Sequence, residues 1–116
     1  MVRDIGELQE RLRAFARERD WEQFHSPKNL AMALIVEAAE LVEHFQWLTE
    51  AQSRALDAAK REQVEQEMAD VFLYLVRLAD QMGIDLLDAA ERKIALNAQK
   101  YPADKVRGSA KKAGEH

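Results

Sequence analysis

The chain has 116 residues, 47% of them hydrophobic and two of them tryptophan, enough to bury one core and too few for two. It contains no cysteine, which excludes disulfide scaffolds, thiolate metal sites and cysteine nucleophiles, so any metal must be held by oxygen or nitrogen. The formal net charge is -4, but four basic against two acidic residues after Pro102 leave the body acidic, which argues against nonspecific nucleic-acid binding.

The start, MVRDIGEL, lacks the apolar run of a signal peptide, and no apolar stretch approaches the ~20 residues that span a bilayer. A cytoplasmic location without membrane attachment is expected. A first helix is predicted from Asp4, a good N-cap, to about Arg19, with Ile5, Leu8, Leu12 and Phe15 on one face. The segment DWEQFH breaks the pattern, and Ser26 followed by Pro27 starts a second helix that should run to about Leu48. Residues 49–57 read as a loop with a helical turn.

A third helix is predicted from Ala58 to Met82, and its stretch VFLYLVRLA is apolar on most sides, as befits a central helix. Gly83 is placed to end it in the left-handed conformation, and Asp85 to cap a fourth helix reaching Lys100, before Pro102. Four helices with short connections predict an all-α, antiparallel four-helix bundle over residues 1–102. The polar tail, residues 103–116, reads as disordered.

The second helix raises a question of charge. Leu30, Leu34, Leu41, Phe45 and Leu48 fall within a narrow arc, while Glu37, Glu40, His44 and Trp47 lie along its edge. A carboxylate bordering a core is costly to desolvate unless a cation, a basic side chain or several hydrogen bonds compensate it. The third helix repeats the design: Glu67 and Asp70 share that three-residue spacing, beside the arc of Val64, Met68, Val71, Leu75 and Met82. If the two helices pack antiparallel, four carboxylates converge, and such hard oxygen donors suit Mg²⁺ or Mn²⁺.

With 33% of residues charged, either pair alone reads as decoration of a solvated face. Two pairs, both at a core edge, leave surface charge and a metal cage equally open. A di-iron bundle would need Glu-x-x-His on two helices, whereas His44 lies four residues after Glu40 and the third helix has no histidine.

Glu37-x-x-Glu40, 26 residues, then Glu67-x-x-Asp70 resembles the metal-binding signature of the all-α nucleoside triphosphate pyrophosphohydrolases, the MazG-like superfamily. RDWEQFHSPKNL at 19–30, FQW at 45–47, DVFLYLVRLA at 70–79 and NAQKYP at 97–102 extend the likeness over roughly residues 5–105, closest to its dCTP-hydrolysing group. The resemblance implies that Glu37, Glu40, Glu67 and Asp70 hold Mg²⁺ and that a nucleoside triphosphate is cut between its α- and β-phosphates. It also implies a base pocket at Trp21, His25 and Trp47, with triphosphate or sugar contacts at Lys93, Asn97 and Tyr101, and an assembly of two or four copies.

On residue types alone, Trp21 and Trp47 read as core or interface residues, His25 as a loop histidine and Tyr74 as a half-buried core tyrosine; Lys93, Asn97 and Lys100 read as a wet strip ending at a helix C-terminus. Tyr74, one turn after Asp70, is placed to support the nucleotide or the metal ligands. The chain departs from its eukaryotic relatives at Leu12, where they carry a histidine. The expected activity is Mg²⁺-dependent hydrolysis of dCTP or a modified dCTP, with a dUTP-preferring or broad NTP enzyme as alternatives. A noncatalytic helical interaction module is the alternative from another class.

Overall fold

In a computed structural model of the protein, residues 1–111 are described, and among them the regular structure is entirely helical. The elements are α1 (Ile5–Glu18), a 3₁₀ turn (Glu22–Phe24), α2 (Pro27–Glu43), α3 (Glu50–Ser53), α4 (Ala58–Met82), α5 (Leu86–Lys100) and α6 (Ala103–Val106). The chain divides into two compact units, Met1–Gly83 and the stretch from Ile84 onward. Among the described residues no helix is long and apolar enough to cross a membrane.

Local chemistry accounts for the helix boundaries. The side chains of Asp4, Ser26, Thr49, Asp57 and Asp85 each accept a hydrogen bond from the backbone N–H three residues on, satisfying one otherwise orphaned donor at each start. At the other end of α4, Gly83 adopts φ 65°, where a Cβ would be strained, and its N–H turns back to Ala79 and Asp80.

In the first unit α4 is the axis, with α2 packed along it and α1 against its C-terminal half. Leu30, early in α2, shares a cavity wall with Tyr74 and Arg77 late in α4, while Glu37 meets Glu67, so α2 and α4 run antiparallel. Ala16 of α1, Leu30 of α2 and Val64, Val76 and Ala79 of α4 are the buried apolar residues of this unit. Leu34, Leu41, Val71 and Leu75 are half-buried, but Met68 and Met82, expected in the core arc, are exposed. A helical projection identifies an apolar face without saying what covers it.

Two boundaries differ from expectation. Helix α2 stops at Glu43 rather than near Leu48: amides of His44, Phe45 and Leu48 reach back only three residues, tightening the chain into turns. A capping box follows, in which Gln52 N donates to Thr49 Oγ1 and Thr49 N to Gln52 Oε1, so Thr49 is extended and α3 begins as a separate turn. In the second unit, α6 forms inside the stretch expected to be a disordered tail. Residues 112–116 of that tail lie outside the described residues.

Candidate active site

The three-residue spacing puts Glu37 and Glu40 on one side of α2, and Glu67 and Asp70 on one side of α4. Antiparallel packing then brings Glu37, Glu67 and Asp70 together, each offering an oxygen within 4.8 Å of the others. Glu40 stands beside Glu37. The Glu37 carboxyl is pushed up to about 7, first by burial, then by a hydrogen bond shared with Glu40, then by the negative charge of Glu40, Asp70 and Glu67.

Among the described residues no basic group answers that charge. Glu37 Oε2 and Glu67 Oε2 are both buried and have no hydrogen-bond partner among the described residues. Orphaned carboxylate oxygens are expensive, and a cluster containing four carboxylates is what a divalent cation relieves. The donor set is all hard oxygen, which fits Mg²⁺ or Mn²⁺ and gives a soft metal no ligand.

Asp70 has a second neighbourhood. It lines a cavity of about 230 Å³ together with Leu12, Trp21, His25, Tyr74 and Arg77. Pockets that take whole small molecules start near about 300 Å³, so this one suits a single ring system. Trp21 meets Phe15 edge to face, with ring centroids 5.7 Å apart, and is tilted against His25. Arg19 in turn sits over the Phe15 ring.

Behind His25 lies a chain of charge. The Arg77 guanidinium is buried and donates from Nε to His25 Nδ1 at 3.2 Å and from Nη1 to Asp80 Oδ2 at 3.3 Å. Asp80 is also gripped by the Arg13 fork through both carboxylate oxygens. The Arg13 hydrogen bond is the main cause holding the Asp80 carboxyl below its usual range, against the opposing effect of burial. Burial, then the Arg77 charge, lowers the His25 pKa, and Glu22 offsets part of this.

Of the residues singled out in the sequence, Glu37, Glu40, Glu67 and Asp70 therefore gather, and Trp21, His25 and Tyr74 line the adjoining cavity. Trp47 does not line it: it sits in the turn after α2, 87% exposed. Lys93 and Asn97 belong to the second unit, one helical turn apart on α5, and Tyr101 follows its C-terminus, donating its backbone N–H to the Asn97 carbonyl. Arg13, Phe15, Arg77 and Asp80 were not anticipated. The available signal was the pair Arg77 and Asp80 inside the apolar run VFLYLVRLADQM, opposite charges at i,i+3.

Comparison with known proteins bears on the same elements. A model of the MazG-like family matches residues 32–115. Curated relatives named dCTP pyrophosphatase 1 are 48% identical in Mus musculus and 47% in Rattus norvegicus, over 98 residues, and 44% in Homo sapiens, over 103. These matches take in 83–87% of this chain, which spans only 58–61% of those relatives' length. The crystal structure of a pyrophosphatase from Archaeoglobus fulgidus superposes with a TM-score of 0.81 at 38% identity, covering 88% of this chain and 95% of that one. Sequence and architecture agree across the helices that carry the acidic pairs, and the chain belongs to the MazG-like family.

Proposed function

We propose that the protein is a divalent-metal-dependent nucleoside triphosphate pyrophosphohydrolase acting on dCTP or a modified dCTP. Water would add across the bond between the α- and β-phosphates, giving the nucleoside monophosphate and pyrophosphate. The observation that carries this reading is the double position of Asp70, a member of the acidic cluster and part of the wall of an aromatic cavity. A nucleotide has the matching anatomy, a planar ring at one end and a chain of phosphates at the other. The names of the curated relatives, and that of the archaeal structure, support the same reaction.

The chain's own residues divide the work. Trp21 and Tyr74 offer flat faces to a base, and stacking on such faces contributes ~1–3 kcal/mol per base. Glu37, Glu40, Glu67 and Asp70 would repel a bare triphosphate, so they can serve it only through bound cations. Mg²⁺ held there would neutralise phosphate charge and lower the pKa of a water. By the family resemblance, Lys93, Asn97 and Tyr101 would contact the triphosphate or sugar and Trp47 the base; because Trp47 is off the cavity wall of its own chain, a second copy would supply it. Exposed Ile35, Val36, Phe72 and Trp47 favour an assembly of two or four copies.

An interaction module would have no need of aromatic side chains beside a carboxylate cluster. The test is pyrophosphate release from a panel of dNTPs and NTPs, with Mg²⁺ and after its removal by chelation. Mg²⁺-dependent turnover led by dCTP is expected. Turnover led by dUTP, or spread over NTPs, would replace the substrate, and none at all from a folded protein would reject the enzyme.

A further inference from the structure

The cavity wall contains one polar ring whose hydrogen-bonding state is decided elsewhere. His25 is half-buried, and its Nδ1 accepts from Arg77 Nε at 3.2 Å. A guanidinium cannot act as an acceptor and does not give up its proton in a protein, so Nδ1 has to be the unprotonated nitrogen of that pair. The neutral ring then carries its proton on Nε2, which has no hydrogen-bond partner among the described residues.

Arg77 is itself held. Its side chain is 7% exposed, and Nη1 is tied to Asp80 Oδ2, whose carboxylate is shared with the Arg13 fork on α1. The guanidinium plane therefore has little freedom to release His25, and α1, α4 and the segment before α2 all contribute to one arrangement. The charge of Arg77 beside the ring also opposes a second proton.

We propose that Arg77 is a positioning residue that fixes His25 as the Nε2–H tautomer, so that the aromatic cavity offers a hydrogen-bond donor of fixed identity to its occupant. This rests on the reading of the cavity as a base pocket. The chemistry it selects is a ring with an acceptor, a carbonyl oxygen or an unprotonated ring nitrogen, on the edge that meets His25. Leu12, on the same wall, has no polar group with which to substitute.

The first measurement is the long-range ¹⁵N–¹H spectrum of the His25 ring in the full-length protein near neutral pH, which distinguishes the two tautomers and needs neither turnover nor a variant. A single Nε2–H form is expected; a Nδ1–H form or a cationic ring would overturn the proposal. In Arg77→Met the ring should relax to a mixture of tautomers, and an unchanged spectrum would overturn it.

The second measurement is steady-state hydrolysis of dCTP in a double-mutant cycle. Losing one aligned hydrogen bond should raise KM about tenfold in Arg77→Met with kcat nearly unchanged. On a His25→Ala background the same substitution should raise KM no further, because the residue acts through the ring. Equal losses on both backgrounds would mean a merely structural role. A wild-type protein inactive on every nucleotide would overturn the functional reading, and the ring spectra would still decide the role of Arg77.

Discussion

Glu37 on α2 and Glu67 on α4 face one another across the main helix pair, an oxygen of each within 4.8 Å of the other, and each keeps a buried Oε2 with no hydrogen-bond partner among the described residues. Two helices do not pack in this way for their own stability. Burial first, then the hydrogen bond with Glu40 and the neighbouring negative charges, push up the Glu37 carboxyl, which holds its proton up to about pH 7. Its folded-state pKa lies above the ordinary 4.5, so in the metal-free protein this group's stabilising contribution is full below pH 4.5 and lost as pH rises through 7. Binding of Mg²⁺ or Mn²⁺ has the opposite dependence, because the proton must leave first. Metal affinity should rise with pH up to about 7 and level off above it, with proton release on binding. Calorimetry in buffers of different ionisation enthalpy measures both quantities, and pH-independent binding without proton release would contradict this.

Neutralising one acid should separate stability from activity. Glu67→Gln removes a negative charge from the cluster while keeping the shape of the side chain, so the metal-free variant should melt higher, by about 3–6 °C if ~1 kcal/mol of repulsion is relieved. The melting point should then respond little to Mg²⁺, whereas that of the wild type should rise with it. Since loss of groups that merely orient metal ligands lowers activity 10–100-fold, loss of a ligand should cost about 100-fold or more. Thermal melts with and without Mg²⁺, beside pyrophosphate release, read both effects. A variant less stable without metal would mean that the carboxylate has a protein partner after all.

Much of this architecture is legible in the sequence because its determinants are local. Asp4, Ser26 and Asp85 announce helix starts through bonds three residues long, Gly83 announces an end, and three-residue spacing fixes which acids share a face. The end of α2 is harder to read, since FQWL continues an apolar helical pattern while the capping box just beyond imposes an extended Thr49. Least legible is the link between Arg77 and His25, 52 residues apart. Only packing of the 3₁₀ segment onto α4 brings them together, and an Arg–Asp pair in an apolar run gives no hint of which ring the arginine will meet.

Asp80 lets this network be tested through stability alone. Asp80→Asn removes the counterion of Arg77, whose side chain is only 7% exposed, and uncompensated burial of one member of such a pair costs roughly 3 kcal/mol. The wild-type Asp80 carboxyl titrates below its ordinary 3.8, so its contribution is present above that pH and is lost as pH falls through the depressed value. Wild type and variant should therefore differ in urea denaturation at pH 7 and converge in acid below 3.8. An equal gap at both pH values would show that the charge of Asp80 is not what stabilises the fold.

Gly83 offers a control away from any site. Its φ of 65° lies in the left-handed region, and a Cβ built there meets nothing within 4 Å, so the penalty of a side chain is purely one of backbone conformation. Gly83→Ala should destabilise by about 1 kcal/mol, and Gly83→Asn by less, since asparagine tolerates this conformation better. Metal affinity should not change in either variant. A cost near zero for alanine would indicate that the end of α4 relaxes to another cap.

The two tryptophans should behave differently, and the difference bears on the assembly. Trp21 lines the cavity and packs edge to face on Phe15, so Trp21→Ala should raise KM for dCTP by about 5- to 150-fold, the equivalent of the ~1–3 kcal/mol that one stacked base contributes. Trp47 is 87% exposed in the single chain and absent from the cavity wall. If one chain sufficed, Trp47→Ala would leave KM unchanged. The resemblance that assigns Trp47 to the base requires the residue to arrive from a neighbouring copy, and then Trp47→Ala should raise KM nearly as much as Trp21→Ala. Mixing inactive Glu67→Gln chains that carry Trp47 with Trp47→Ala chains that keep the acids distinguishes the two cases. Hybrid assemblies that recover a low KM would place the second tryptophan across the interface, whereas a KM that stays at the Trp47→Ala value would confine base recognition to the cavity of a single chain.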